Sequence, residues 1–279
     1  TFTVTNTEGV VTFGGTATGD ITMTIDENDV ATFTRGGIPA KTTVTLSGDG
    51  AITKITLASG QTLADTAADL TGLTIDGEGT VNVTALEDTL GADLSKITAT
   101  TVTVTGNFSQ EHSIEPFIGK LGNAKLIVTS SVGGGIDITH AVDLHTNATY
   151  EVGANAFLLA NISDLSGKEV TGEGGVGLRI YDTDDAATVD TTKISLSDIQ
   201  LLVLSSADIS ANNSLGNVSK FIIGENNILT LTAEQAASKS IFSGGSVKVL
   251  GSDGDQTINV ATTGTNVIAG GLGADSIIP

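Results

Sequence analysis

The feature that most constrains this chain is that it repeats itself. Ile55 to Val83, ITLASGQTLADTAADLTGLTIDGEGTVNV, aligns without a gap with Tyr150 to Leu178, YEVGANAFLLANISDLSGKEVTGEGGVGL, 95 residues further on. The second half of the phrase returns at Lys239 to Val249, KSIFSGGSVKV. Each copy holds a β-rich segment, a turn with glycines (Gly77 and Gly79; Gly172, Gly174 and Gly175; Gly244 and Gly245), and alternating apolar positions such as Val81 and Val83 or Val247 and Val249. Glycine enters φ > 0 at little cost, and alternation of period two is that of a half-buried strand. A stack of similar coils is therefore expected. The copies share no reacting group, so what they repeat is architecture, which points toward a structural role.

The core of such a stack has to come from small branched side chains. In 279 residues there are eight Phe, two Tyr and no Trp, which leaves Val, Ile, Leu, Ala and Thr methyls to fill flat, repetitive β-layers. Thirty-five glycines against three prolines mean many tight turns, without a collagen period or a proline-rich linker. The 32 acidic and 12 basic residues give a formal charge of −20, a surface that repels nucleic acid and anionic lipid and collects divalent cations. No run of about 20 apolar residues appears, so no membrane insertion is expected. Cysteine is absent and fixes no compartment. The opening Thr1, with no basic-then-apolar leader, reads as the start of a segment of a longer chain.

Taken in order, the chain divides into a Thr-rich β region (1–54), a repeat-built β-solenoid (55–250) and a nonapeptide-like end (251–279). The first region alternates strictly, as TFTVT, VVTF, ITMTI, ATFT and TTVTL between glycine turns, so short strands are expected there, with an antiparallel β-sandwich as the alternative to solenoid coils. Thr62 to Asp69, rich in Ala and Asp, is expected to make a helical turn at a corner, and Asn107 to Lys120 a loop or short helix. Strands are expected over Ile97 to Gly106, Lys125 to Ser130 and Ile136 to Thr139.

Further on, Leu196, Ile199, Leu202, Leu204 and Ile209 recur 19 residues later as Leu215, Val218, Phe221, Ile223 and Ile228. This spacing resembles the leucine-rich repeat, with Asn226 at its asparagine position and Ala207 in the first copy. Ser197 with Gln200, and Thr232 with Gln235, match the S/T-x-x-Q capping box, so a helical turn is expected after each of two strands. The fold class expected is all-β: a parallel β-solenoid, a right-handed β-helix with leucine-rich-repeat-like coils.

Candidate site residues are few. Gly270-Gly271-Leu272-Gly273-Ala274-Asp275-Ser276-Ile277-Ile278 matches the nonapeptide G-G-x-G-x-D-x-U-x, in which glycines turn the chain and the aspartate offers calcium an oxygen. Degenerate copies, Gly251 to Asn259 and Ala261 to Ala269, place Gln256 and Asn266 at the metal position, with Val260 inserted between them and Asp253 and Asp255 nearby. Asp182, Asp184 and Asp185 space three carboxylates as D-x-D-D, a second candidate calcium group and equally the pattern of a solvated acidic turn. His112, His140 and His145 lack an H-E-x-x-H or comparable set and read as polar surface residues. G-x-S-x-G and a nucleophilic cysteine are absent, and Arg35 and Arg179, the only arginines, sit in no evident acidic cluster, so a β-helical carbohydrate-active enzyme is the least favoured reading.

The nonapeptide end, with the threonine-rich repeats and acidity, resembles repeats-in-toxin proteins and bacterial surface-layer proteins. That resemblance implies type I secretion, calcium as the bound ion and a bacterial cell-surface location. It also implies self-association into a lattice or fibre, with outer-membrane polysaccharide as a further partner. The alternative is an adhesin or spacer module of a large surface protein.

Overall fold

A computed structural model describes residues 3–7, 10–14, 19–25, 31–35, 42–46, 54–57, 59–111, 113–144, 148–181, 190–212, 215 and 217–278. The chain is all-β with few helices, its parallel strands stacked as a β-solenoid. It forms two compact units: Thr1–Phe108 with Glu115–Thr129 and His140–Glu151, and Ser109–Ile114 with Ser130–Thr139 and Val152–Pro279.

In the first unit the core is a set of ladders in which each coil places an apolar residue over the one before. Val11 faces Ile55, Ile55 faces Ile75 and Ile75 bridges to Ile97, all buried. On a second sheet Leu63 faces Val81 and Val81 faces Val102, while Val83 faces Val104 and Val104 faces Leu126. Burying each such side chain is worth about 1.5–3 kcal/mol, more than the roughly 1 kcal/mol net of a backbone hydrogen bond, so the ladders set the register.

The N-terminal strands are antiparallel among themselves but do not stand apart as a sandwich. Thr3–Thr7 pairs antiparallel with Val10–Gly14, which then runs parallel to Lys54–Leu57. Gly19–Ile25, Ala31–Arg35 and Thr42–Leu46 form a meander whose first strand runs parallel to Gln61–Thr66. These strands cover the open edges of the first coil, which a parallel stack would otherwise leave with unpaired backbone groups. Val11 and Phe33 are wholly buried.

In the second unit one ladder runs Ile136, Leu158, Val176, Ile199, and the neighbouring one Leu178, Leu201, Phe221, Ile241, Val260, all buried. A further sheet stacks Ala207, Leu229 and Val247, with Leu231 facing Val249 and Val249 facing Ile268.

The long repeat is a repeat of corners. Strand, helical turn and strand recur as Gln61–Thr66, Ala67–Leu70 and Thr74–Gly77, then as Phe157–Asn161, Ile162–Leu165 and Val170–Gly172, and again as Ile228–Thr232, Ala233–Ala236 and Ser240–Ser243. After each helical turn one residue is left-handed: Gly72, Gly167 and Ser238, at φ 76, 66 and 61. The expected capping box at Thr232 and Gln235 is present, and Gln235 Nε2 also donates to the carbonyls of Ile209 and Asn212 in the coil below (2.7 and 2.6 Å).

Two expectations are corrected and a third holds in part. Ser197 and Gln200 make no capping box: Gln200 lies within the strand Asp198–Val203 and donates to Asp198, because Ile199, Leu201 and Val203 alternate inward and pair on both sides with neighbouring strands, where Ala-Glu-Gln-Ala after Thr232 favours a helix. The 19-residue step is off by one. Leu201 pairs with Phe221 and Val203 with Ile223, so Leu202 and Leu204 face outward, and Asn226 is an exposed left-handed turn residue. The segment 107–120 is loop rather than helix over most of its described residues, and it also holds a short strand, Ile114–Pro116, that was not expected.

Candidate functional site

At the C-terminal end the copies Gly251 to Asn259 and Gly270 to Ile278 lie directly over one another. Ser252 pairs with Gly271 and Thr257 with Ser276, while the middle copy lies against Ser246–Leu250 through Val267–Ile268. The inserted Val260 is a core residue facing Ile241.

Side chains at or beside the metal positions tie neighbouring coils together. Asp275 Oδ1 accepts the Gln256 N–H (3.0 Å) and Asp255 Oδ1 the Ala274 N–H (2.7 Å). Asn266 Oδ1 accepts from Val247 N–H (3.1 Å) and the Thr262 hydroxyl (2.7 Å). Gly270 is required here, because a Cβ on it would fall on the Asp275 carboxylate. Gln256 is the exception to this tidy accounting. It is 9% exposed, its Nε2 donates to the Asp253 carbonyl (3.2 Å), and its Oε1 is buried without a hydrogen-bond partner. A buried acceptor with no donor is costly unless something supplies positive charge, and an amide oxygen is a ligand type that suits calcium.

Asp253 is exposed, and no three carboxylates or histidines converge among the described residues. Asp182, Asp184 and Asp185 lie outside the described residues, as do His112 and His145, while His140 is exposed.

Sequence reasoning missed a more regular use of aspartate. In Asp93-Leu94-Ser95, Asp137-Ile138-Thr139, Asp190-Thr191-Thr192 and Asp208-Ile209-Ser210 the carboxylate accepts both the N–H and the hydroxyl two residues on. The hydroxyl distance is 2.6 Å in all four, and the middle residue is buried each time. The signal was present as a recurring D-x-S/T with an inward middle residue.

Two of these carboxylates are held below the usual range. The Ser95 hydroxyl does so at Asp93, with Lys120 at 3.3 Å assisting, and the Thr192 hydroxyl and N–H do so at Asp190. Asp76 is lowered by its hydrogen-bonded pair with Lys54 at 2.5 Å, together with Thr56. A carboxylate whose folded pKa lies below its unfolded value of about 4 contributes stability above pH 4 and loses it as pH falls through the folded value. Thermal unfolding followed by circular dichroism should therefore show a midpoint insensitive to these groups from pH 8 to 5 and falling below pH 4. Asp93→Asn should make the acid fall shallower, and an unchanged acid limb would refute the assignment.

Arg179 is placed where the sequence showed no acidic partner. Its guanidinium pairs with Asp137 (3.1 Å) and donates to the Thr139 hydroxyl (3.0 Å) and Tyr181 hydroxyl (3.3 Å). Asn161 donates to the Thr139 carbonyl and to Asp164. Beside it is an outward groove of about 450 Å³, walled by Phe157, Leu159 and Leu202. Those three side chains close over Gly177, where a Cβ would meet all of them at 2.8–3.0 Å. Both terminal nitrogens of the guanidinium are engaged in holding neighbouring segments together, which suits a brace better than a proton-transfer group.

No protein-family model matches this chain, and neither a curated protein nor a solved structure matches it. Among the described residues no helix is long and apolar enough to cross a membrane.

Proposed function

We propose that this chain is a structural element of a bacterial surface layer, working outside the cell and assembling with its own copies in the presence of calcium. The observation that carries the reading is the C-terminal turn. Stacked nonapeptide copies there set Asp275 on the Gln256 N–H and Asp255 on the Ala274 N–H, and leave Gln256 Oε1 buried and unpartnered, on a chain of charge −20. Like-charged copies repel beyond contact, and a divalent ion at acidic turns lowers that barrier. Calcium, where bound, supplies charge neutralisation; Asp255 and Asp275 each keep a second carboxylate oxygen, and Gln256 an amide oxygen, to meet it. Outer-membrane polysaccharide is proposed as the anchoring partner.

A second reading, an adhesin or spacer module, is favoured by the groove beside Arg179, where Tyr181 is 55% exposed. Light scattering and electron microscopy in EDTA and then in millimolar calcium separate the two. Ordered sheets or fibres only with calcium support the surface-layer reading. A monodisperse protein in both conditions overturns it and leaves the adhesin.

A further inference from the structure

We infer that the outward ladder Leu202–Ile222–Phe242 is a contact surface for a second copy of this chain. The inference deepens the assembly reading, on which it rests, by naming a surface through which copies meet. The three side chains come from successive parallel strands in strict register: Leu202 faces Ile222, Ile222 faces Phe242, and Phe242 faces Ala261. Strands about 4.8 Å apart make this a straight apolar strip about 14 Å long. Leu204, on the same face two residues beyond Leu202, widens it. Phe242 is 41% and Leu204 42% exposed, at positions where a solvated sheet face would carry polar side chains.

Charge selects the occupant. The strip from Leu202 to Ala261 carries no ionisable group. The adjacent row, Gln200, Lys220, Ser240 and Asn259, carries one cation, Lys220, whose ammonium lies 5.8 Å over the Phe242 ring. On a chain of charge −20 the strip itself sets no acid against acid and needs no ion between two copies; Arg179 faces Leu202 at its end, and Asp198, the acid on the same face, lies beyond Gln200, which donates to it. Four apolar side chains bury well under the roughly 800 Å² per partner of a stable complex, so a single contact is weak and concentration-dependent, and gains strength only when many are made at once. Because the contact is apolar and the rest of the surface is acidic, salt strengthens it through screening.

The absence of cysteine makes the test clean. Single variants Ala261→Cys, beside Phe242, and Thr98→Cys, exposed in the other unit, are oxidised in EDTA at matched concentration in low and in 0.5 M salt. Circular dichroism first confirms that each folds as the parent does. The expected result is disulfide dimer forming at least tenfold faster for Ala261→Cys, faster still in salt, and slowed to the Thr98→Cys rate when Phe242→Lys is added. Equal rates for the two cysteine variants, or no effect of Phe242→Lys, overturn the inference. If calcium-driven sheets form while Ala261→Cys does not cross-link preferentially, the ladder fails and the assembly reading stands. Preferential cross-linking with no sheets in calcium gives the reverse.

Discussion

Replacing Asp137 by alanine is expected to lower the free energy of unfolding by about 2–4 kcal/mol, one of the largest single-residue losses in this chain. Asp137 is 7% exposed and uses both carboxylate oxygens, one on the Thr139 N–H (2.9 Å) and hydroxyl (2.6 Å), the other on Arg179 (3.1 Å). Removing it strands a guanidinium whose side chain is only 20% exposed. Complete burial would cost about 3–5 kcal/mol, and the residual access of water to Arg179 trims that figure. The second substitution Arg179→Leu in the Asp137→Ala background should recover much of the loss, because the stranded charge is then gone and Leu continues the apolar neighbours Leu159 and Leu202. Urea midpoints at constant slope measure both steps. A loss under about 1 kcal/mol would show the pair to behave as an exposed surface bridge.

That ion pair also marks the limit of what the sequence discloses. Asp137 and Arg179 lie 42 residues apart, and only the lengths of the intervening coils bring them to one face. Those lengths are not constant. Phe157 pairs with Gly175, 18 residues on, Gly175 with Asp198, 23 on, and Lys220 with Ser240, 20 on. A fixed-period search finds the long repeat, whose corners recur in order, but not the partner of any given outward residue. The slip at Leu202 has the same origin. In Ile199 to Leu204 both parities are apolar except at Gln200, so alternation cannot say which face is inside, and a one-residue error exchanges the faces.

Corners were the legible part, since their chemistry is local. Thr232 with Gln235 read as a capping box because the helix formers Ala233, Glu234 and Ala236 lie around them, whereas Ser197 with Gln200 matched the pattern but lies in a segment that carries the β-branched Ile199 and Val203 and stacks as a strand between its neighbours. The nonapeptide end was legible as a turn and not as a ligand set. The sequence assigns Asp275 and Asn266 to a metal, while the structure gives one oxygen of each to an N–H 19 residues back. The unpartnered oxygen of Gln256 is visible only once the coil is closed.

The glycines of the repeat make the last and most discriminating prediction, because two of them, five residues apart, both have positive φ but differ in how far it lies from the αL well and in what surrounds them. Gly167 has φ 66 with nothing near a Cβ built on it, whereas Gly172 has φ 128 and its Cβ would strike the Val152 carbonyl oxygen. That carbonyl already accepts the N–H groups of Glu173 and Gly174, both at 3.0 Å, so it cannot move aside without breaking the coil's own closure. Gly167→Ala should cost only the conformational penalty, about 1 kcal/mol. Gly172→Ala should add the clash and weaken two hydrogen bonds, for a total of about 3–5 kcal/mol. Gly77→Ala should behave as Gly172→Ala does, since Gly77 has φ 103 and its Cβ would strike the Leu57 carbonyl that accepts the Glu78 N–H at 2.9 Å. Equal losses at 167 and 172 in denaturant titrations would mean that φ alone explains the glycines. A loss at 172 several times that at 167 would locate the demand in the glycine-only φ of residue 172 together with the close passage of one coil's backbone over the next, the two features that stacking imposes at this turn.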